Sequence, residues 1–105
     1  MDILMKSNIY DSIPNFIRQH IALFDSFDNI YLFGSILNIS KAPNDIDILL
    51  IYSKHSNSII KDLNNISSVL EKMFNLPIDL TVLSIEEERE TKFLKRIDSL
   101  YLKLK

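Results

Sequence analysis

The chain has no cysteine and one glycine among its 105 residues. The first absence excludes disulfides, thiolate-bound zinc and thiol nucleophiles together. The second is a strong bias, since the usual glycine frequency of about 7% would place about seven in a chain of this length. A sequence that avoids glycine elsewhere has put its one at Gly34, where the backbone must turn sharply or let another group come close. Also absent is any apolar run near the roughly 18 to 20 residues that span a bilayer. The opening stretch MDILMKSNIYD lacks the basic-then-apolar layout of a signal peptide, so a soluble cytoplasmic protein is expected. With a formal net charge of −2 there is no global field to hold a polyanion, and nothing recommends a nucleic-acid partner.

What the chain does have is apolar side chains, at 47%, enough for one core of two packed layers in a single small domain. Residues 7–24 place Ile9, Ile13, Phe16, Ile17, Ile21 and Phe24 at helical spacing. Pro14 fits only a first turn, so the main helix is expected to start near Ser12, whose hydroxyl can cap it. Residues 30–33 read as a strand and 35–44 as a crossover ending in loop at Pro43 and Asn44. The nearly continuous apolar run 46–52 reads as a central strand covered on both faces.

A second amphipathic helix is expected over 58–74, with Ile59, Leu63, Ile66, Leu70 and Met73 on one face, ending before Pro77. Residues 78–83 form a third strand. Ser84 and Glu87 have capping-box spacing for a last helix, and Leu94, Ile97, Tyr101 and Leu104 continue a helical seam, giving a closing helix over 93–104. The expected architecture is α/β (α+β), a two-layer fold with a small mixed sheet, helices packed mainly on one face and an open side.

Asp45 and Asp47 stand at the entrance to the second strand. Alternate strand residues share a face, so these two carboxylates point together while Ile46 and Ile48 point away. Like charges side by side need a cation. Asp79, near the start of the third strand, is a third candidate ligand. Magnesium prefers carboxylates with phosphate oxygens, and two such ions about 3.5–4 Å apart can serve both the attacking and the leaving oxygen of a phosphoryl centre. Gly34 and Ser35 would seat the outer phosphates, with Lys41 as a further phosphate contact. On this reading Asp45, Asp47 and Asp79 are both the metal ligands and the catalytic residues, Asp79 also helping to take the acceptor's proton.

Rival uses of these residues fare worse. A calcium loop would want an Asp or Asn at position 49 and glycine at 50, and both are Leu. Sugar-nucleotide transferases use an Asp pair with a metal, but on much longer domains. His20 and His55 have no partner at metal-ligand spacing, and Ser35 has no nearby base to make it a nucleophile.

Gly34-Ser35, nine intervening residues, then Asp45-Ile46-Asp47 resembles the Gly-Ser…Asp-x-Asp signature of the DNA polymerase beta-like nucleotidyltransferase superfamily, with Pro77-Ile78-Asp79-Leu80 as its third-carboxylate strand. A chain this short is most similar to the minimal nucleotidyltransferase (MNT) branch, with residues 1–105 as one such domain. The resemblance implies an MNT-type antitoxin that uses ATP and two Mg2+ ions to transfer AMP to a tyrosine of a partner HEPN-type RNase toxin, releasing pyrophosphate. Two other readings stand beside it: a non-catalytic antitoxin that neutralises by binding, and a small-molecule nucleotidyltransferase. The family's crossover often carries arginine just after Gly-Ser, whereas here Ile36, Leu37, Asn38, Ile39 and Ser40 follow, leaving Lys41 as the only cation before the Asp pair.

Overall fold

A computed structural model of the chain describes residues 12–37, 43–97 and 100–105. Its centre is β2 (Ile46–Tyr52), whose burial pattern leaves only Asp47 and Tyr52 partly exposed. β2 pairs antiparallel with β1 (Asn29–Phe33) and parallel with β3 (Ile78–Ser84), and β4 (Tyr101–Lys103) adds antiparallel to the far side of β1, giving the order β3-β2-β1-β4. Parallel neighbours require a crossover, supplied by helix α2 (Ser58–Phe74). The result is the expected mixed sheet with helices.

Strand alternation divides the side chains into two cores. Ile30, Leu32, Ile46, Ile48 and Leu50 face helix α1 (residues 12–19) and α2, where Ile13, Ile17, Ile66 and Leu70 are at most 1% exposed. Each such aliphatic side chain contributes about 1.5–3 kcal/mol on leaving water. The opposite face gives a smaller cluster of Tyr31, Leu49 and Ile51, covered by Ile85, Phe93 and Leu94 from helices α3 (Ile85–Thr91) and α4 (Phe93–Arg96).

The first helix is shorter than its periodicity suggests. α1 stops at a turn on His20, and Ile21–Phe24 form a separate 3-10 turn. The His20 N–H donates to the Phe16 carbonyl at 3.0 Å while its ring stacks on Phe16. Ser12 is the first described residue of this helix, while Ile9 and Asp11, and with them its capping, lie outside the described residues. α2 has the expected bounds, but Met73 is 56% exposed and not part of the buried stripe. Asn75 closes α2 in the left-handed region, its N–H on the Glu71 carbonyl.

The expected closing helix over 93–104 does not form. The Ser84–Glu87 capping box starts α3 as anticipated, but Lys92 turns left-handed at φ 51, α4 lasts four residues, and Tyr101–Lys103 is a strand. The reason is the outer edge of β1, whose backbone groups need partners. Leu104 donates to the Ile30 carbonyl at 2.8 Å, and Ile30 donates to the Lys105 carbonyl at 3.2 Å. Leu102 lies opposite Leu32 and Leu104 joins the larger core, while Tyr101 packs edge-on against Tyr31. The spacing 94, 97, 101, 104 fits a helical seam, but sheet pairing overrides it.

Candidate functional site

The site is built where β2 and β3 begin. The β2 ladder opens with Ile46 N–H on the Pro77 carbonyl at 2.9 Å, which sets Asp47 directly beside Asp79 in the parallel register. Residues level with one another on parallel strands share a face, so the two carboxylates project together, and Asp45, one pleat earlier, joins them. One oxygen from each of Asp45, Asp47 and Asp79 lies within 4.8 Å of the others; Asp45 and Asp47 are half-buried and Asp79 is exposed. The three residues singled out as candidate metal ligands are therefore one cluster.

Gly34 explains itself at the same place. It follows the last residue of β1, opens a 3-10 turn (Gly34–Leu37) and has φ +82. A Cβ there would collide with the Asp47 carboxylate, 2.9 Å from its Cγ. Both reasons for a lone glycine, a turn and a close approach, thus apply, and the group that approaches is Asp47. Ser35 donates its hydroxyl to Asp45 Oδ1 at 3.3 Å, so this turn also steadies the second carboxylate. Lys41, the expected phosphate contact, lies outside the described residues.

Crowding has an electrostatic consequence. The Asp47 carboxyl is pushed up from its ordinary 3.8 to about 6, first by burial, then by the charges of Asp45 and Asp79, and then by hydrogen bonds with both. A carboxylate this reluctant to ionise next to two others is what a divalent cation relieves. Oxygen-only donors that stay partly open to solvent suit magnesium, which keeps part of its coordination for water and phosphate.

Phe33 was legible only as the end of a strand, yet it is the cross-strand partner of Asp47. Its ring meets that of Phe93 edge to face at 5.5 Å, which brings α4 to the margin of the carboxylates. No local spacing could reveal this contact, because its partners lie 60 positions apart in the chain.

The family model described as nucleotidyltransferase domain matches residues 17–104. The chain belongs to this nucleotidyltransferase domain family. A candidate nucleotidyltransferase from Sulfolobus solfataricus superposes with a TM-score of 0.52 at 18% identity, over 96% of this chain and 83% of that one. A toxin-antitoxin structure with AMP-PNP gives 0.55 at 22% identity, over 81% of this chain and 68% of that one. A tri-AMPylated Shewanella oneidensis HEPN toxin in complex with MNT antitoxin gives 0.51 at 18% identity, over 88% and 71%. These likenesses show a shared fold. No curated protein sequence matches the chain. For a nucleotidyltransferase domain, a nucleoside triphosphate and a divalent metal are the expected ligands, and the acidic triad has the donor set for the metal.

Proposed function

We propose that this nucleotidyltransferase is a magnesium-dependent adenylyltransferase that moves AMP from ATP to a tyrosine hydroxyl of a partner HEPN-type RNase toxin, acting as its antitoxin. The observation that carries the reading is the convergence of Asp45, Asp47 and Asp79 within 4.8 Å beside the Gly34-Ser35 turn, in a chain of this family. The choice of acceptor is supported by the fold shared with the HEPN toxin–MNT antitoxin complex, whose toxin carries AMP groups, and the choice of ATP by the toxin-antitoxin structure with AMP-PNP.

In this reading Asp45, Asp47 and Asp79 would hold the divalent metal ions, and Asp79 would also serve the acceptor hydroxyl. Bound divalent cations supply neutralisation of the phosphate oxygens and lower the pKa of a bound hydroxyl. The acceptor oxygen attacks the α-phosphorus, the bond to the bridging oxygen of the β-phosphate breaks, pyrophosphate leaves with that electron pair, and Asp79 accepts the hydroxyl proton. The Gly34-Ser35 turn presents backbone N–H groups to the outer phosphates while fixing Asp45 through Ser35. Positioning and charge neutralisation provide most of the acceleration.

Incubation of the purified protein with labelled ATP, magnesium and the product of the neighbouring gene tests the proposal. Label on that protein, lost in Asp45→Asn and Asp47→Asn, is the expected result. Neutralisation of the toxin that survives both substitutions, with no label transferred, would instead make the chain a binding antitoxin. Label on a metabolite would make it a small-molecule transferase.

A further inference from the structure

β3 is an edge strand, and among the described residues nothing pairs with its outer side. Proteins usually guard such edges with short strands, lysine, proline or a bulge. β4, at the opposite edge, follows that rule with three residues and an exposed Lys103. β3 does not. It runs for seven residues in unbroken register with β2, without lysine, proline or bulge. Its one charge is Asp79, a member of the triad. A long unguarded edge that carries a site residue is suited to receive another strand.

The ladder tells which backbone groups that edge offers. Ile46 is level with Ile78, and its N–H donates to the Pro77 carbonyl at 2.9 Å. In a parallel ladder the bonds go to the residues on either side of the level one, so Asp79, Thr81 and Leu83 turn their N–H and C=O groups toward β2. Ile78, Leu80 and Val82 turn theirs outward. Their side chains pack against the main core, while Asp79 projects on the opposite face with Asp47. Asp79 is also the exposed member of the triad, Asp45 and Asp47 being half-buried. A strand laid along β3 would stand about 4.8 Å away, and its residue level with Asp79 would share that carboxylate's face.

We infer that the outer edge of β3 is the docking site for the acceptor, an extended segment of the partner protein that adds to the sheet and carries its tyrosine level with Asp79. This rests on the reading of the chain as a protein adenylyltransferase and adds how the acceptor is held. A row of alternating N–H and C=O groups is matched by another extended polypeptide. Main-chain pairing with Ile78, Leu80 and Val82 supplies affinity, and the alternation of the added strand selects which side chain meets the triad.

The test uses the whole chain, magnesium and the product of the neighbouring gene as acceptor. Residue-resolved amide exchange is expected to find Ile78, Leu80 and Val82 fast in the free chain and slowed by about ten-fold or more when the acceptor is added, with Asp79, Thr81 and Leu83 slow throughout. Leu80→Pro removes an outward N–H and no bond to β2, a position at which an edge strand accepts proline. It should lower kcat/KM for labelling of the acceptor by about ten-fold or more, mainly through KM, whereas Leu80→Ala, which keeps the N–H, should stay within about three-fold. The exchange experiment needs no variant, so it decides the matter even where Leu80→Pro does not fold. Label transferred to the acceptor with no slowing at these three amides would overturn the docking edge and leave the transfer reading intact. Amides there that are already slow in the free chain, or that slow as the chain alone is concentrated, would also overturn it, by giving the edge to the chain itself or to a second copy. Slowing on addition of the acceptor, with no label transferred, would uphold the edge and overturn the transfer reading.

Discussion

Gly34 and Asp47 compete for one volume: a Cβ at position 34 would stand 2.9 Å from the Asp47 Cγ, at a backbone angle of φ +82. A side chain at position 34 therefore faces two penalties from one residue. Gly34→Ala is expected to cost about 1–2 kcal/mol for the left-handed backbone alone, with a further loss as the carboxylate is displaced. Urea unfolding measures the first. A weakened magnesium response in the same variant measures the second, and a variant as stable as the parent would contradict the geometry.

The pH response of the metal-free protein should carry the signature of Asp47. Its carboxyl titrates near 6 in the folded chain against 3.8 ordinarily, so the folded state holds the proton more tightly than the unfolded one. The stabilisation is complete below the lower value and is lost as pH rises through the higher. In chelator, the melting temperature of the parent should therefore fall relative to that of Asp47→Asn between pH 4 and pH 7, in the window set by those two values. Adding magnesium at pH 7 should raise the parent and leave the variant nearly unmoved. Parallel curves for the two proteins would show that the carboxylates do not crowd as described.

Asp79→Asn isolates the third carboxylate. It is exposed, so the fold should survive the change with little loss of stability. Under the proposed role of Asp79 as proton acceptor and metal ligand, nucleotidyl transfer should fall by about 10²-fold or more. Circular dichroism establishes the first outcome and labelled-ATP turnover the second.

The fourth strand can be checked with chemistry that the chain itself lacks. Tyr31 and Lys103 are register partners across β1 and β4, and facing residues on antiparallel strands have Cα atoms about 4.5–5.5 Å apart, within disulfide reach. Because the protein has no native cysteine, Tyr31→Cys/Lys103→Cys should give one clean intramolecular bridge on mild oxidation, visible as a mobility shift that reductant reverses. A helix over 93–104 would give no such bridge.

These relationships differ in how far they could be read before folding. β2, α2 and the shared face of Asp45 and Asp47 follow from local periodicity, and β2 and α2 have the expected bounds. Asp79 could be matched to the pair because a strand–helix–strand unit puts the starts of its two parallel strands side by side. The Phe33–Phe93 contact and the pairing of Tyr101–Lys103 with β1 join distant segments, and no window of neighbouring residues contains them. The seam of Leu94, Ile97, Tyr101 and Leu104 misled because a helical spacing and a strand alternation overlap there, and the unpaired edge of β1 decided between them.

That edge has a kinetic side. Asn29 and Lys105, which meet through the Asn29 amide, are 76 residues apart, so closing the sheet there forms one of the longest loops available to the chain. Such contacts form late on the way to the native state, and substitutions in β4 should quicken unfolding far more than they slow folding. Until β4 arrives, β1 presents a bare strand to any neighbouring molecule, and the concentration at which this protein refolds cleanly will be governed by how fast its last strand comes home.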